Sequence, residues 1–176
     1  MDADTLIAVA TVVIALATGV AAVAAAFAAR ATRRTTEAQI FSALMSEYAS
    51  AEMGTALGQL RDAHRGWYRD PQGRQPEKLI EAWARRQVDV GAHGDLTDSA
   101  RRLVAHFYWK ATRIIDEGLV RGGLKEELRS LAGKDLMYDI VIPLETLLSQ
   151  ELGTVESTLN HIERFRAVFP DRRSHT

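Results

Sequence analysis

TLIAVATVVIALATGVAAVAAAFAA, residues 5–29, holds no charge, no proline and one glycine, and Arg30, Arg33 and Arg34 close the run. An uncharged stretch of 18 or more residues reads as a membrane-spanning helix, and this one has 25 residues. At the helical rise it would be about 37 Å long, enough to cross a hydrocarbon core of about 30 Å with some tilt. Leu6, Ile7, Val9, Val12, Val13, Ile14, Leu16, Val20, Val23 and Phe27 supply the hydrophobic weight. Eleven of the 25 residues are alanine, so insertion is favourable without being extreme.

A cleaved secretory signal is the competing reading, because Ala24-Ala25-Ala26 and Ala26-Phe27-Ala28 offer small residues at cleavage-like spacing. A signal peptide has a basic start, whereas this chain opens Met1-Asp2-Ala3-Asp4. Its apolar run also exceeds a usual signal core, which favours an uncleaved anchor. Arginine and lysine stay on the cytoplasmic side. The expected layout is therefore a short outer N-terminus (1–4), a span (5–29), a cytoplasmic helical domain (30–170) and a polar tail (171–176).

Beyond the span the charges nearly cancel. All 22 basic residues follow it, and Asp2 and Asp4 alone of the 23 acidic residues precede it, leaving 21. A nucleic-acid module would carry a basic stripe, so nucleic acid is not an expected partner. Mixed charge and recurring apolar residues argue against disorder. The chain has no cysteine, which excludes disulfides and thiolate metal sites.

Helical periodicity runs through nearly every later segment. Ile40, Phe41, Leu44, Met45 and Tyr48 form a stripe that resumes at Met53, Leu57 and Leu60, so the span is expected to continue as one helix to about Ser50 or beyond. Gly54 is its expected weak point. His64 to Pro76, with Gly66, Asp70, Pro71 and Gly73, reads as a loop, and Pro76 suits the start of a helix through Leu79, Ile80, Trp83 and Val88. Thr97 or Asp98 is expected to cap the next helix, whose stripe is Ala100, Leu103, Val104, Phe107, Ala111, Ile114 and Ile115, closed by Gly118. Gly122-Gly123 reads as a hinge. A short helix with Leu124, Leu128 and Leu131 follows. Pro143 lies inside the next apolar run and predicts a kink or restart. Thr154 opens a last helix with Val155, Leu159, Ile162, Phe165 and Val168. No strand is expected. The fold class is all-α, a single N-terminal transmembrane helix continuing into a small helical bundle.

Phe41-Ser42-Ala43-Leu44-Met45-Ser46-Glu47-Tyr48, Glu52-Met53-Gly54 and the helix Arg101-Arg102-Leu103-Val104-Ala105-His106-Phe107, ending at Gly118-Leu119-Val120, together with the single span, resemble a family of uncharacterised bacterial proteins. Each of these has an N-terminal anchor and a helical domain of unknown function. The resemblance implies a bacterial inner membrane setting and an all-α fold, and carries over no catalytic residue.

Within the span, Thr11, Ala15, Thr18, Ala22, Ala25 and Ala29 follow helical spacing, and Gly19 lies four residues after Ala15. Such small faces let helices approach closely, and threonine can hydrogen-bond across the contact or back to its own helix. Arg30, Arg33 and Arg34 set topology or grip lipid headgroups. Trp67 and Tyr68, and Tyr108 and Trp109 beside the stripe, are candidate interface residues. The five histidines show no paired-ligand spacing. Arg101-Arg102 with Arg85-Arg86 could hold a phosphate, but Glu81, Asp95 and Asp98 argue for ordinary ion pairs. No catalytic residue, cofactor or metal site is expected, and no enzymatic activity.

These features lead to a membrane-anchored interaction or scaffold protein that self-associates or docks on a membrane complex. Its partners would be the lipid bilayer, further copies of itself and another membrane protein. The alternative is a small oligomeric channel or membrane-perturbing effector, as in anti-phage defence. A third class, an enzyme whose site forms only in three dimensions, would need a deep pocket with converging ionisable residues.

Overall fold

A computed structural model describes residues 2–68 and 91–171. The expected helix from Pro76 to Val88, and Arg85-Arg86, lie outside the described residues. Every described element is helical: α1 (Ala3–Tyr48), α2 (Ala51–Tyr68), α3 (Gly91–Asp116), α4 (Gly122–Arg129), α5 (Lys134–Leu136), a π-helical turn (Met137–Val141), α6 (Ile142–Leu152) and α7 (Val155–Val168). Contacts divide the chain into two units, Met1–Ile40 and Phe41–Thr176.

The first unit is most of α1. This helix is long and apolar enough to cross a membrane: an 18-residue stretch within Ala10–Tyr48 has a mean hydropathy of 2.4, and none of that stretch is buried. Thr11 and Thr18 donate their hydroxyls to the carbonyls of Ile7 and Ile14, both at 2.8 Å. These two hydroxyls are thus satisfied on their own helix, as an apolar surrounding demands. Arg33 Nε pairs with Glu37 one turn on, at 3.1 Å.

The second unit begins inside α1, at Phe41. Leu44 is buried, and the Tyr48 ring lies 5.3 Å from that of Phe107. The stripe from Phe41 to Tyr48 therefore packs within its own bundle. The helix ends at Tyr48, close to the expected Ser50, and the next begins at Ala51, ahead of the expected weak point Gly54. The Ser50 hydroxyl accepts the Met53 N–H at 3.1 Å, the bond of an N-cap residue, and Glu52 adds negative charge in the first turn of α2. Gly54 sits within α2, because one glycine costs a helix about 1 kcal/mol and does not by itself stop it.

Two further boundaries differ from expectation. The backbone of α2 runs through Tyr68, so Trp67 and Tyr68 lie on a helix rather than in a loop. Gly66 is tolerated, and the strong breaker, Pro71, acts mainly on the residue before it. Likewise α3 starts at Gly91, ahead of the expected caps Thr97 and Asp98. Asp98 is interior because its carboxylate is committed to arginines one turn on, not to free backbone N–H groups: Oδ1 lies 2.9 Å from Arg101 and Oδ2 lies 2.7 Å from Arg102.

The expected stop at Gly118 holds. Gly118 has φ +67, and Leu119 N–H bonds the Ile114 carbonyl while Gly118 N–H bonds that of Ile115, both at 3.0 Å. This is a Schellman ending, which favours glycine at the left-handed position. Gly123, expected in a hinge with Gly122, belongs to the first turn of α4. At Pro143 the helix restarts: the π-turn precedes α6, and Ile142 N–H reaches five residues back to the Met137 carbonyl. Proline lacks an N–H and its ring crowds the carbonyl four residues earlier. Widening the turn just ahead of it relieves that clash.

Helix α3 is the centre of the bundle, packed on α2 and on α7. The core joins Met53 and Leu60 of α2, Val104, Phe107, Tyr108 and Ala111 of α3, Leu128, Met137, Ile140, Leu144, and Phe165 and Phe169 from the C-terminal end. Phe165 and Phe169 stack at 5.1 Å, and Tyr108 meets both edge-on at 5.9 and 5.5 Å. Edge-to-face and offset-stacked pairs are the favoured aromatic geometries. Val155 and Leu159, expected in the buried stripe of α7, are exposed; Ile162, Phe165 and Val168 are buried.

Candidate functional site

Four features of the described residues carry polar or recognition chemistry. The first is the outer face of α3 where it meets α7. Trp109 and Lys110 lie three and four residues after His106, and four and three before Arg113, so the four share a face. His161 and Arg164 of α7 complete a groove of about 360 Å³. Trp109 is half-buried, held edge-on against Phe165 with ring centres 5.7 Å apart. The His161 ring stands 6.0 Å from Trp109, and its Nδ1 lies 2.7 Å from the Ser157 carbonyl. A carbonyl only accepts, so Nδ1 donates and Nε2 is the nitrogen left for another partner. Lys110 pairs with Glu47 at 2.6 Å, and Arg113 Nε with Glu117 at 2.7 Å.

The second is a buried ionic network. Arg101 is 5% exposed and bonds Asp98 through Nε and Nη2 and Glu145 of α6 through Nη1. Asp98 also binds Arg102. This resolves the sequence alternatives for Arg101: it is a structural cross-link between α3 and α6. Removing one partner would leave a buried charge uncompensated.

The third is a contact across the π-turn, with His64 Nε2 3.3 Å from Asp139 Oδ2. Single π-turns within helices recur at functional sites. Here the turn is explained by Pro143 and the contact joins α2 to that turn. Among the described residues, no three of His, Asp and Glu gather as a metal-binding group.

The fourth is the span. Val12, Val13, Ile14, Leu16, Val20, Val23 and Phe27 are each 56–71% exposed. The small face of Thr11, Ala15, Thr18, Gly19 and Ala22 lies open among them, and so do Arg30, Arg33 and Arg34 below. A side chain at Gly19 would meet no atom of the chain within 4 Å.

The expected interface residues fare differently. Tyr108 has no exposure. It is a core residue, not an interface residue, because α3 buries a face wide enough to hold both Phe107 and Tyr108 against two neighbouring helices. Trp109 remains half-exposed and lines the groove. The side chains of Trp67 and Tyr68 lie outside the described residues. Sequence reasoning missed the groove itself. Its signal was present as the spacing of 106, 109, 110 and 113, but the contribution of 161 and 164 requires the packing of α7 on α3.

Compared with known protein families, with characterised proteins and with solved structures, the chain matches none. The functional reading rests on the residues and their geometry.

Proposed function

We propose that the chain is a membrane-anchored helical interaction protein that self-associates through its span. It sits in a bacterial inner membrane with the N-terminus outside and the bundle in the cytoplasm, the side assigned by Arg30, Arg33 and Arg34. One observation carries the self-association. The stripe from Phe41 to Tyr48 is used up within the bundle, whereas the small face of the span is exposed.

Alanine and glycine offer little apolar area to lipid, but they let two backbones approach until dispersion acts over many atoms. The threonine hydroxyls already donate to their own helix. Close packing, rather than hydrogen bonding between copies, is then the attraction.

The test is the mass of the complex extracted in mild detergent. Wild type should run as a multiple of 19.4 kDa. Gly19→Leu should shift toward monomer and stay membrane-inserted, since leucine inserts well and position 19 is open within the chain. A wild-type monomer, or an unchanged Gly19→Leu complex, would refute self-association through this face. A reporter fused after Thr176 should be active in the cytoplasm, and activity confined to the periplasm would refute the orientation.

A further inference from the structure

We infer that the groove between α3 and α7 binds a nucleotide-class ligand, a small anion that joins a phosphate group to a planar ring. This reading is independent of how the span assembles. At about 360 Å³ the groove falls in the range of small-molecule sites, roughly 300–1,000 Å³. Its lining brings together Lys110, Arg113, Arg164, His106 and His161 around Trp109 and includes no carboxylate among the described residues, although Glu47 and Glu117 pair with Lys110 and Arg113.

A solvated charged face of a helix would normally pair its cations with acids one turn away. Among the five, only Arg113 has such acids; His106, Lys110, His161 and Arg164 have none, and Lys110 takes its carboxylate from Glu47 of α1 instead. Arg164 has Asn160, His161, Ala167 and Val168 at those positions, and His106 has Arg102, Leu103, Trp109 and Lys110. Arg113 commits Nε to Glu117, and a guanidinium keeps further N–H donors on its two terminal nitrogens. The guanidinium groups of Arg113 and Arg164 line the same groove, with Lys110 already paired to Glu47, and guanidinium groups suit a phosphate, whose oxygens accept bidentate pairs.

The ring half of the ligand is assigned by Trp109. Its indole is held edge-on against Phe165 and flanked by His161, so its orientation is set before any ligand arrives. A fixed, half-exposed aromatic face beside cations is the arrangement on which bases stack. The His161 imidazole, with Nδ1–H spent on Ser157, offers Nε2 to a hydroxyl or an exocyclic N–H of the ligand, or to a phosphate when protonated.

The experiment titrates the full chain in detergent with adenosine 5′-diphosphate, adenosine and inorganic phosphate, following tryptophan fluorescence. The background carries Trp67→Phe and Trp83→Phe, so that Trp109 alone reports. The diphosphate should quench saturably, more tightly than adenosine or phosphate alone, and less tightly as salt rises. Arg164→Gln, on an exposed residue with no ion pair among the described residues, should weaken binding by about tenfold or more, as expected for loss of a charge-assisted bond, and Arg164→Lys should restore part of it. An unchanged far-ultraviolet spectrum would show that both variants stay folded. Absence of saturable quenching, equal binding in wild type and Arg164→Gln, or quenching only by nanodiscs of anionic lipid would each overturn the assignment.

Discussion

Tyr108 shows how one buried hydroxyl couples the bundle to pH. Burial, reinforced by the neighbouring Tyr48, pushes its phenol well above the usual tyrosine value. The folded state thus keeps a proton that the unfolded chain releases near pH 10. Above that pH the unfolded state binds fewer protons, so stability must fall as pH rises. The contribution of Tyr108 is complete below about pH 10 and declines at a slope approaching about 1.4 kcal/mol per pH unit above it. Unfolding of the full chain in detergent, followed from pH 8 to 11, should show this slope in wild type and a shallower one in Tyr108→Phe. Equal slopes would mean that the phenol is hydrated in the native state. The residue was legible in part. It lies four after Val104 and three before Ala111, both in the buried stripe, but its place beside Phe107 favoured the flank. A helix buried on two sides can carry adjacent large residues in its core, and periodicity does not reveal how many neighbours a helix has.

The helices show which local signals decide a boundary. Gly118 and Pro143 acted as expected because each imposes a backbone constraint of its own. The first helix ends near Ser50, as expected, because Ser50 supplies a bond that starts a new one, while Gly54, the expected weak point, only weakens a helix and stays inside α2. Asp98 failed as a cap because Arg101 and Arg102 claim its oxygens, and Arg101 also reaches Glu145 on α6, a contact across the sequence that no local pattern encodes. Two glycines separate the local cost from the packing one. A Cβ at Gly54 meets nothing within 4 Å, whereas one at Gly133 would come within 2.9 Å of Leu57 Cδ2 and of the Tyr108 hydroxyl oxygen. Gly133 has φ −73, so alanine there strains the packing and not the backbone. Gly54→Ala should stabilise the fold by about 0.5–1 kcal/mol, and Gly133→Ala should destabilise it by about 1–3 kcal/mol. Thermal or denaturant unfolding of the two variants checks both signs, and a stabilising Gly133→Ala would show that the gap beside Tyr108 is wider than described.

For the chain as a whole, the all-α architecture and the long apolar helix were legible because both depend on composition and period alone. The groove was not, since residues 106–113 and 161–164 are brought together only by packing. Self-association is argued from a face with no partner in a single chain, and its most direct test uses the absence of cysteine. Single cysteines placed along the span would be oxidised in native membranes and the disulfide-linked dimer measured at each position. The small face, at Ala15, Thr18 and Ala22, should crosslink strongly. Val13, Val20 and Ala24, on the opposite side at about 100° per residue, should crosslink weakly, giving a helical period in the yield. Uniform or negligible crosslinking at all six positions would contradict association through the small face and leave the span as an anchor alone.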